Sequence, residues 1–156
     1  MLPFQFLPPI DLLLRAMRIN RERLESTSRV AIDARLLRAL LQVAVGGQPF
    51  DEAFYLAKYP DIAAAHAKGE ILDLRRHFIE TGYFEGRAGA PTDVDEEYYT
   101  RAYRDVGAAV VRGEVNSATE HYLRTGAAEG RVPSSGMKPV IDWWASVLRE
   151  DTGRRL

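Results

Sequence analysis

The sequence predicts an all-α chain: an N-terminal helical hairpin, two tandem three-helix repeats and a C-terminal helix. Three observations lead there. The segment from Asp51 to Arg87 returns as Asp95 to Arg131 at a constant offset of 44 residues, a period typical of stacked supersecondary units. Apolar residues recur at helical spacing between capping residues and breakers, and nothing alternates with the period of two that a half-buried strand requires. No cysteine is present, so neither a disulfide framework nor a thiolate metal site is available.

The elements follow in order. Residues 1–9 form an apolar leader, Met1-Leu2-Pro3-Phe4-Gln5-Phe6-Leu7-Pro8-Pro9. It has no basic leading region and no small-residue cleavage site, so it does not read as a signal peptide. Residues 10–47 are expected to form a helical pair. Pro8-Pro9 can start the first helix, and Ile10, Leu13, Leu14, Met17 and Leu24 keep helical spacing with arginines at 15, 18, 21 and 23 between them. Ser26-Thr27-Ser28 is the expected break and N-cap. A second helix from about Val30 to Val45 carries Leu36, Leu37, Leu40, Leu41 and Ala44 and ends at Gly46-Gly47.

Residues 48–91 and 92–133 are the repeat units. In the first, Asp51 caps a helix carrying Phe54, Tyr55 and Tyr59, which Pro60 stops. Asp61 is expected to cap the next piece, which ends at Gly69. Asp73 caps a third, with Leu74, His77, Phe78 and Ile79, which stops at Gly82. In the second unit, Ser117 and Glu120 have the spacing of a capping box. The acidic run Asp93 to Glu97 suits the positive end of a helix, and Gly82 and Gly126 suit the left-handed position after a helix. Residues 134–156 hold a last helix, starting near Pro139, and a tail.

Four polar pairs recur: Asp61/Asp105, His77/His121, Glu85/Glu129 and Arg87/Arg131. The aspartates read as caps and the Glu–Arg pairs as local ion pairs. Histidine can act as acid, base or metal ligand, and His77 and His121 could bind a metal with Glu85 and Glu129. However, H-E-x-x-H spacing is missing, and equivalent members of neighbouring units do not converge. Each histidine is instead expected to donate to a carbonyl or carboxylate within its own unit. A phosphate-cradling glycine loop, a serine elbow and a calcium loop are likewise missing. No catalytic residue, metal or cofactor is therefore expected.

The net charge of −1 gives no bias toward nucleic acid or acidic lipid. Residues 1–47 nevertheless hold seven Lys/Arg against four Asp/Glu, while residues 48–133 hold ten against fifteen. The arginines of the first helix are interleaved with Glu22 and Glu25 and read as a solvated face. No apolar run approaches the roughly 20 residues a spanning helix needs. The cytoplasm is the expected location, with the inner face of the cell envelope as a variant of it.

Two apolar features stand apart. Phe4, Phe6 and Leu7 in the leader, and the adjacent Trp143 and Trp144 of the last helix, either cap the chain's own ends or contact a partner or a second copy. Tyr55, Arg87, Tyr99 and Arg131 are the candidates for a ligand, because tyrosine faces can stack on sugars.

The pattern Phe50-Asp51 … Tyr55-Leu56 … Tyr59-Pro60-Asp61-Ile62-Ala63 … His77-Phe78 … Gly82 … Glu85-Gly86-Arg87 resembles a bacterial repeat reading F-D-x-x-Y-Y-L … Y-P-D-V-A … H-Y-x-x-x-G-x-x-E-G-R. The latter half of the second unit, His121-Tyr122 … Gly126 … Glu129-Gly130-Arg131, resembles it more closely. Arg104 stands where the pattern has proline and is expected to loosen the break between the first two helices of that unit. Such repeats occur beside glycosyltransferase domains and in proteins of surface polysaccharide production. The resemblance covers about residues 50–133 and brings no catalytic residue with it. It implies a non-enzymatic interaction or scaffold module accessory to bacterial surface polysaccharide or glycan synthesis. The partner would be a glycosyltransferase or another synthesis component, with homo-oligomerisation as a further option. Two alternatives remain: a carbohydrate- or nucleotide-sugar-binding module, and an enzyme or metal protein using His77 and His121.

Overall fold

The structure is a computed structural model and describes residues 2–26 and 29–148. These residues are all-helical, with ten α-helices and no strand among them. The chain divides into two compact units, Met1–Pro91 and Thr92–Leu156.

The first unit opens with a 3₁₀ turn, Pro3–Gln5, closed where the Leu2 N–H donates to Gln5 Oε1 at 2.8 Å. The predicted helix from Ile10 to Leu24 is broken. α1 spans Ile10–Met17, Arg18 adopts a left-handed φ of 55°, and α2 spans Arg21–Glu25. The cause is local: Asn20 Oδ1 accepts the Arg23 N–H at 2.8 Å and so starts a new helix. α3, Ala34–Gly46, begins later than its periodicity suggests. Its cap is Asp33, which accepts the N–H groups of Arg35 and Leu36. Ser26 caps the C-terminus of α2, and the other expected cap residues, Thr27 and Ser28, lie outside the described residues.

α4 (Glu52–Lys58), α5 (Pro60–Ala67) and α6 (Leu74–Glu80) follow. Asp51 and Asp73 cap α4 and α6 as expected, accepting the N–H groups of Phe54 and Arg76. Asp61 is not a cap. Proline needs no N–H donor and takes the first position of α5, so the cap is Tyr59 and Asp61 falls inside the first turn. The core of this unit gathers Tyr55, Ile62, Leu74, Phe78 and Ile79 with Val45 of α3, and Phe4 packs against it.

In the second unit, α7 (Glu96–Ala102), α8 (Arg104–Val111) and α9 (Ala118–His121) occupy equivalent stretches of sequence. The helix break before Arg104 is not loosened. Tyr103 has φ −120° and ψ 85°, against −123° and 86° at Tyr59 before Pro60. The Tyr103 hydroxyl accepts the Val132 N–H at 2.8 Å, as Tyr59 accepts that of Ala88 at 2.7 Å. A distant hydrogen bond thus fixes the bend without the proline. Asp95 caps α7. The capping box at α9 is half made: Ser117 Oγ accepts the Glu120 N–H, but the Glu120 carboxylate turns to the backbone and side-chain nitrogens of Asn116. Beyond His121 the helix widens into a π turn, Tyr122–Gly126. The core here is smaller, built on Tyr99, Val106, Ala118 and Tyr122. A 3₁₀ turn, Ser135–Met137, leads to α10, Lys138–Leu148. The predicted tail lies outside the described residues.

Candidate functional site

The recurring polar residues form the same closed network in both units. α4 drives Tyr55 into the core and α7 does the same with Tyr99; both are 0% exposed. A phenol buried this far needs a polar partner. His77 Nδ1 supplies it for Tyr55 at 3.2 Å and His121 Nδ1 for Tyr99 at 3.1 Å. The histidines thus stay within their own units as expected, but each bonds a tyrosine hydroxyl rather than a carbonyl or carboxylate. Burial pushes both phenols up to about 12, so they remain neutral across the physiological range.

Gly82 and Gly126 face these hydroxyls. Neither has the positive φ expected of it. They are glycine because a β-carbon would collide with the hydroxyl of Tyr55 or Tyr99. The left-handed glycines are Gly69, Gly86, Gly113 and Gly130.

Arg87 closes the first unit's network. Its guanidinium lies over the Tyr59 ring at 4.9 Å, grips Asp61 through two nitrogens at 2.8 and 3.1 Å, and donates to Glu85 at 2.9 Å. Arg131 likewise lies over Tyr103 at 4.8 Å and donates to Glu129 at 2.6 Å, but it holds Asp105 through Nη1 alone, at 3.0 and 3.3 Å. The arginine hydrogen bonds hold the carboxyls of Asp61 and Asp105 below the ordinary aspartate value. Asp61 and then Glu85 strengthen the hold of Arg87 on its proton. Burial opposes that effect at Arg131, and the bonds to Glu129 and Asp105 outweigh it.

Tyr55 and Tyr99 offer no open ring face on which a sugar could stack, and Arg87 and Arg131 are held in ion pairs within their units. No buried side-chain nitrogen or oxygen is left without a partner among the described residues. Nor does any group of three His, Asp or Glu side chains come together there to hold a metal ion. Arg21 pairs with Asp11 at 2.8 Å and Arg23 donates to the Arg29 carbonyl at 3.2 Å.

What stays open is apolar. In the leader, Phe4 packs against the core beside Gly46, whereas Phe6 and Leu7 are exposed. They border a cleft of about 190 Å³ whose lining includes Phe4, Leu13, Leu36 and Leu40. In the second unit α10 buries no residue at all. Trp143 is 58% exposed and Trp144 49%, their rings edge to face at 4.9 Å. Leu123 is also exposed and belongs to no motif. Its only mark in the sequence is a departure from the repeat, since its counterpart Ile79 is followed by Tyr83-Phe84 and Leu123 by Ala127-Ala128.

Comparisons with protein-family models, with curated proteins and with solved structures gave no match to this chain. No helix among the described residues is long and apolar enough to cross a membrane.

Proposed function

We propose that the protein is a non-enzymatic helical interaction module, two tandem three-helix repeats with docking surfaces at its leader and at α10. Its setting would be bacterial surface polysaccharide or glycan synthesis, at the cytoplasmic side of the envelope. One observation supports docking over chemistry. The polar residues that could act on a substrate are bonded to one another inside each unit, while Phe6, Leu7, Trp143 and Trp144 are left in solvent. Exposed aromatic clusters of this kind anchor interfaces. The polysaccharide setting rests on the resemblance of residues 50–133 to the bacterial repeat.

The test is affinity capture of the tagged chain from a polysaccharide-producing bacterium, with recovered proteins identified by mass spectrometry. The wild type should recover a glycosyltransferase or another synthesis component. Phe6→Ser/Leu7→Ser should reduce that recovery at least severalfold while leaving the circular dichroism unchanged, because neither side chain is in the core. Equal recovery by wild type and variant, or no synthesis component at all, would overturn the reading.

A further inference from the structure

The two units share an inner network but differ on the outer face of their third helix. In the first unit that face is covered. Ile79 is 1% exposed because α3 lies on it, bringing Val45 into the same cluster. Arg75 donates to the Gly46 carbonyl at 2.8 Å, Arg38 donates to the Glu80 carbonyl at 2.7 Å, and the Arg38 guanidinium sits 3.9 Å over the Phe84 ring. The matching face of the second unit is bare. Leu123 stands where Ile79 stood and is 39% exposed. Ala127 and Ala128 replace Tyr83 and Phe84 and are exposed too. The face remains apolar and has lost two rings.

A helix with two surplus rings lies in the same unit. α10 carries Val140, Trp143, Trp144, Val147 and Leu148, all exposed. In the first unit Phe84 is the covered ring, lying under the Arg38 guanidinium of α3, while Tyr83 stays 43% exposed. In the second, the open face is small and the uncovered helix supplies the rings. The space left where Ala128 replaces Phe84 suits a ring from a helix like α10. From these observations, and resting on the docking role proposed for α10, we propose that two copies of the chain exchange α10 reciprocally. Each copy lays its Trp143/Trp144 face on the Leu123/Ala127/Ala128 face of the other, in a closed twofold dimer.

Area favours a second copy. The exposed apolar side chains of α10 amount to on the order of 500 Å² and the receiving face to roughly 250 Å². A contact buries similar area on its two sides, so the smaller face limits a one-way contact to about 500 Å² in total, whereas reciprocal exchange doubles it to about 1,000 Å², the least that a specific interface needs.

The experiment is sedimentation equilibrium of the purified full chain across micromolar concentrations. The expected result is a mass twice that of the chain. Trp143→Ser/Trp144→Ser and, separately, Leu123→Asp should each raise the dimer dissociation constant roughly a hundredfold or more. Both keep the inner network, and circular dichroism checks that they fold. Mixing the two variants rebuilds one of the two contacts, because the first retains a receiving face and the second a helix, so the mixture should associate more strongly than either variant alone and more weakly than the wild type. Phe6→Ser/Leu7→Ser should remain dimeric, so failure of the leader's docking role and failure of this proposal are told apart. A monomer at every concentration would overturn the exchange, as would a dimer insensitive to Leu123→Asp, which would mean that α10 pairs with α10.

Discussion

Gly126→Ala should destabilise the protein, and Tyr99→Phe should rescue it. Gly126 sits in the π turn with a negative φ, so alanine is conformationally acceptable there and should gain about 1 kcal/mol as a helix former. The added methyl collides with the Tyr99 hydroxyl. That ring is fully buried and cannot retreat. Overpacking costs about 1–3 kcal/mol, and pushing the hydroxyl off His121 forfeits about another 1 kcal/mol. The net loss is therefore about 1–3 kcal/mol. Tyr99→Phe alone should cost about 1 kcal/mol for the bond to His121. In the double variant the colliding oxygen is gone. The remaining close neighbours are Tyr122 Cδ2 and ring atom Cζ of residue 99, each 3.3 Å from the new carbon, and a few tenths of an ångström relieve both. Urea unfolding followed by circular dichroism should thus give a coupling energy of about 2–4 kcal/mol in the double-mutant cycle, since the overpacking is relieved and the bond to His121 is lost only once. Gly130→Ala is the control. It lies at φ 70° with nothing within 4 Å of a new β-carbon, so it should lose about 1 kcal/mol through backbone strain alone, with no coupling to Tyr99. Additive effects at 126 and 99, or a more stable Gly126→Ala, would refute the packing role assigned to this glycine.

Removing a network histidine, as in His77→Ala, should cost about 1–3 kcal/mol by stranding the Tyr55 hydroxyl, read by the same unfolding assay. The acid limb of stability should depend on Asp61 and Asp105: their carboxyls lie below the ordinary 3.8, so their contribution is present above that value and is lost as pH falls through the depressed one. Asp61→Asn/Asp105→Asn should therefore flatten the fall in stability below pH 3.8. At the alkaline end the sign reverses, because Tyr55 and Tyr99 are raised from 10.0 to about 12. Stability held below pH 10 should drain away as pH rises toward about 12, and Tyr55→Phe/Tyr99→Phe should make that limb shallower, leaving the part due to buried Tyr122.

What could be read from the sequence was local. Asp51, Asp73, Asp95 and Ser117 were identifiable as caps because each bonds an N–H three residues ahead. Of the network only the Glu85–Arg87 and Glu129–Arg131 pairs, two residues apart, were legible; its other bonds join residues 22, 26 and 29 positions apart, and the repeat marks those residues without pairing them. Asp61 looked like a cap because its true partner, Arg87, enters from the next loop. Gly82 and Gly126 looked like helix terminators because glycine in a chain does not reveal whether it serves a left-handed turn or a close approach. The break at Arg18 had no warning at all, since arginine seldom takes a left-handed conformation. At the candidate interaction surfaces, the leader and tryptophans stood out by composition, whereas Leu123 becomes visible only when the covered Ile79 is seen beside it.

The shared network also bears on where the two units can differ in function. Replacing His77 or His121 leaves a buried hydroxyl unpaired, and a side chain at Gly82 or Gly126 collides with it, so those positions are constrained by folding in both units. Stability constrains the outer face of the third helix far less. The first unit uses that face to seat α3 and thereby adds Val45 and Ile79 to its core. The second must hold together on a cluster of Tyr99, Val106, Ala118 and Tyr122, with α10 adding no buried residue. A unit this small is marginal without further apolar burial, and the apolar surface it lacks in its core is the surface it displays on Leu123 and α10. Exposed area that a folded chain cannot bury within itself favours association wherever a complementary face is present, and in this unit both complementary faces belong to the same sequence.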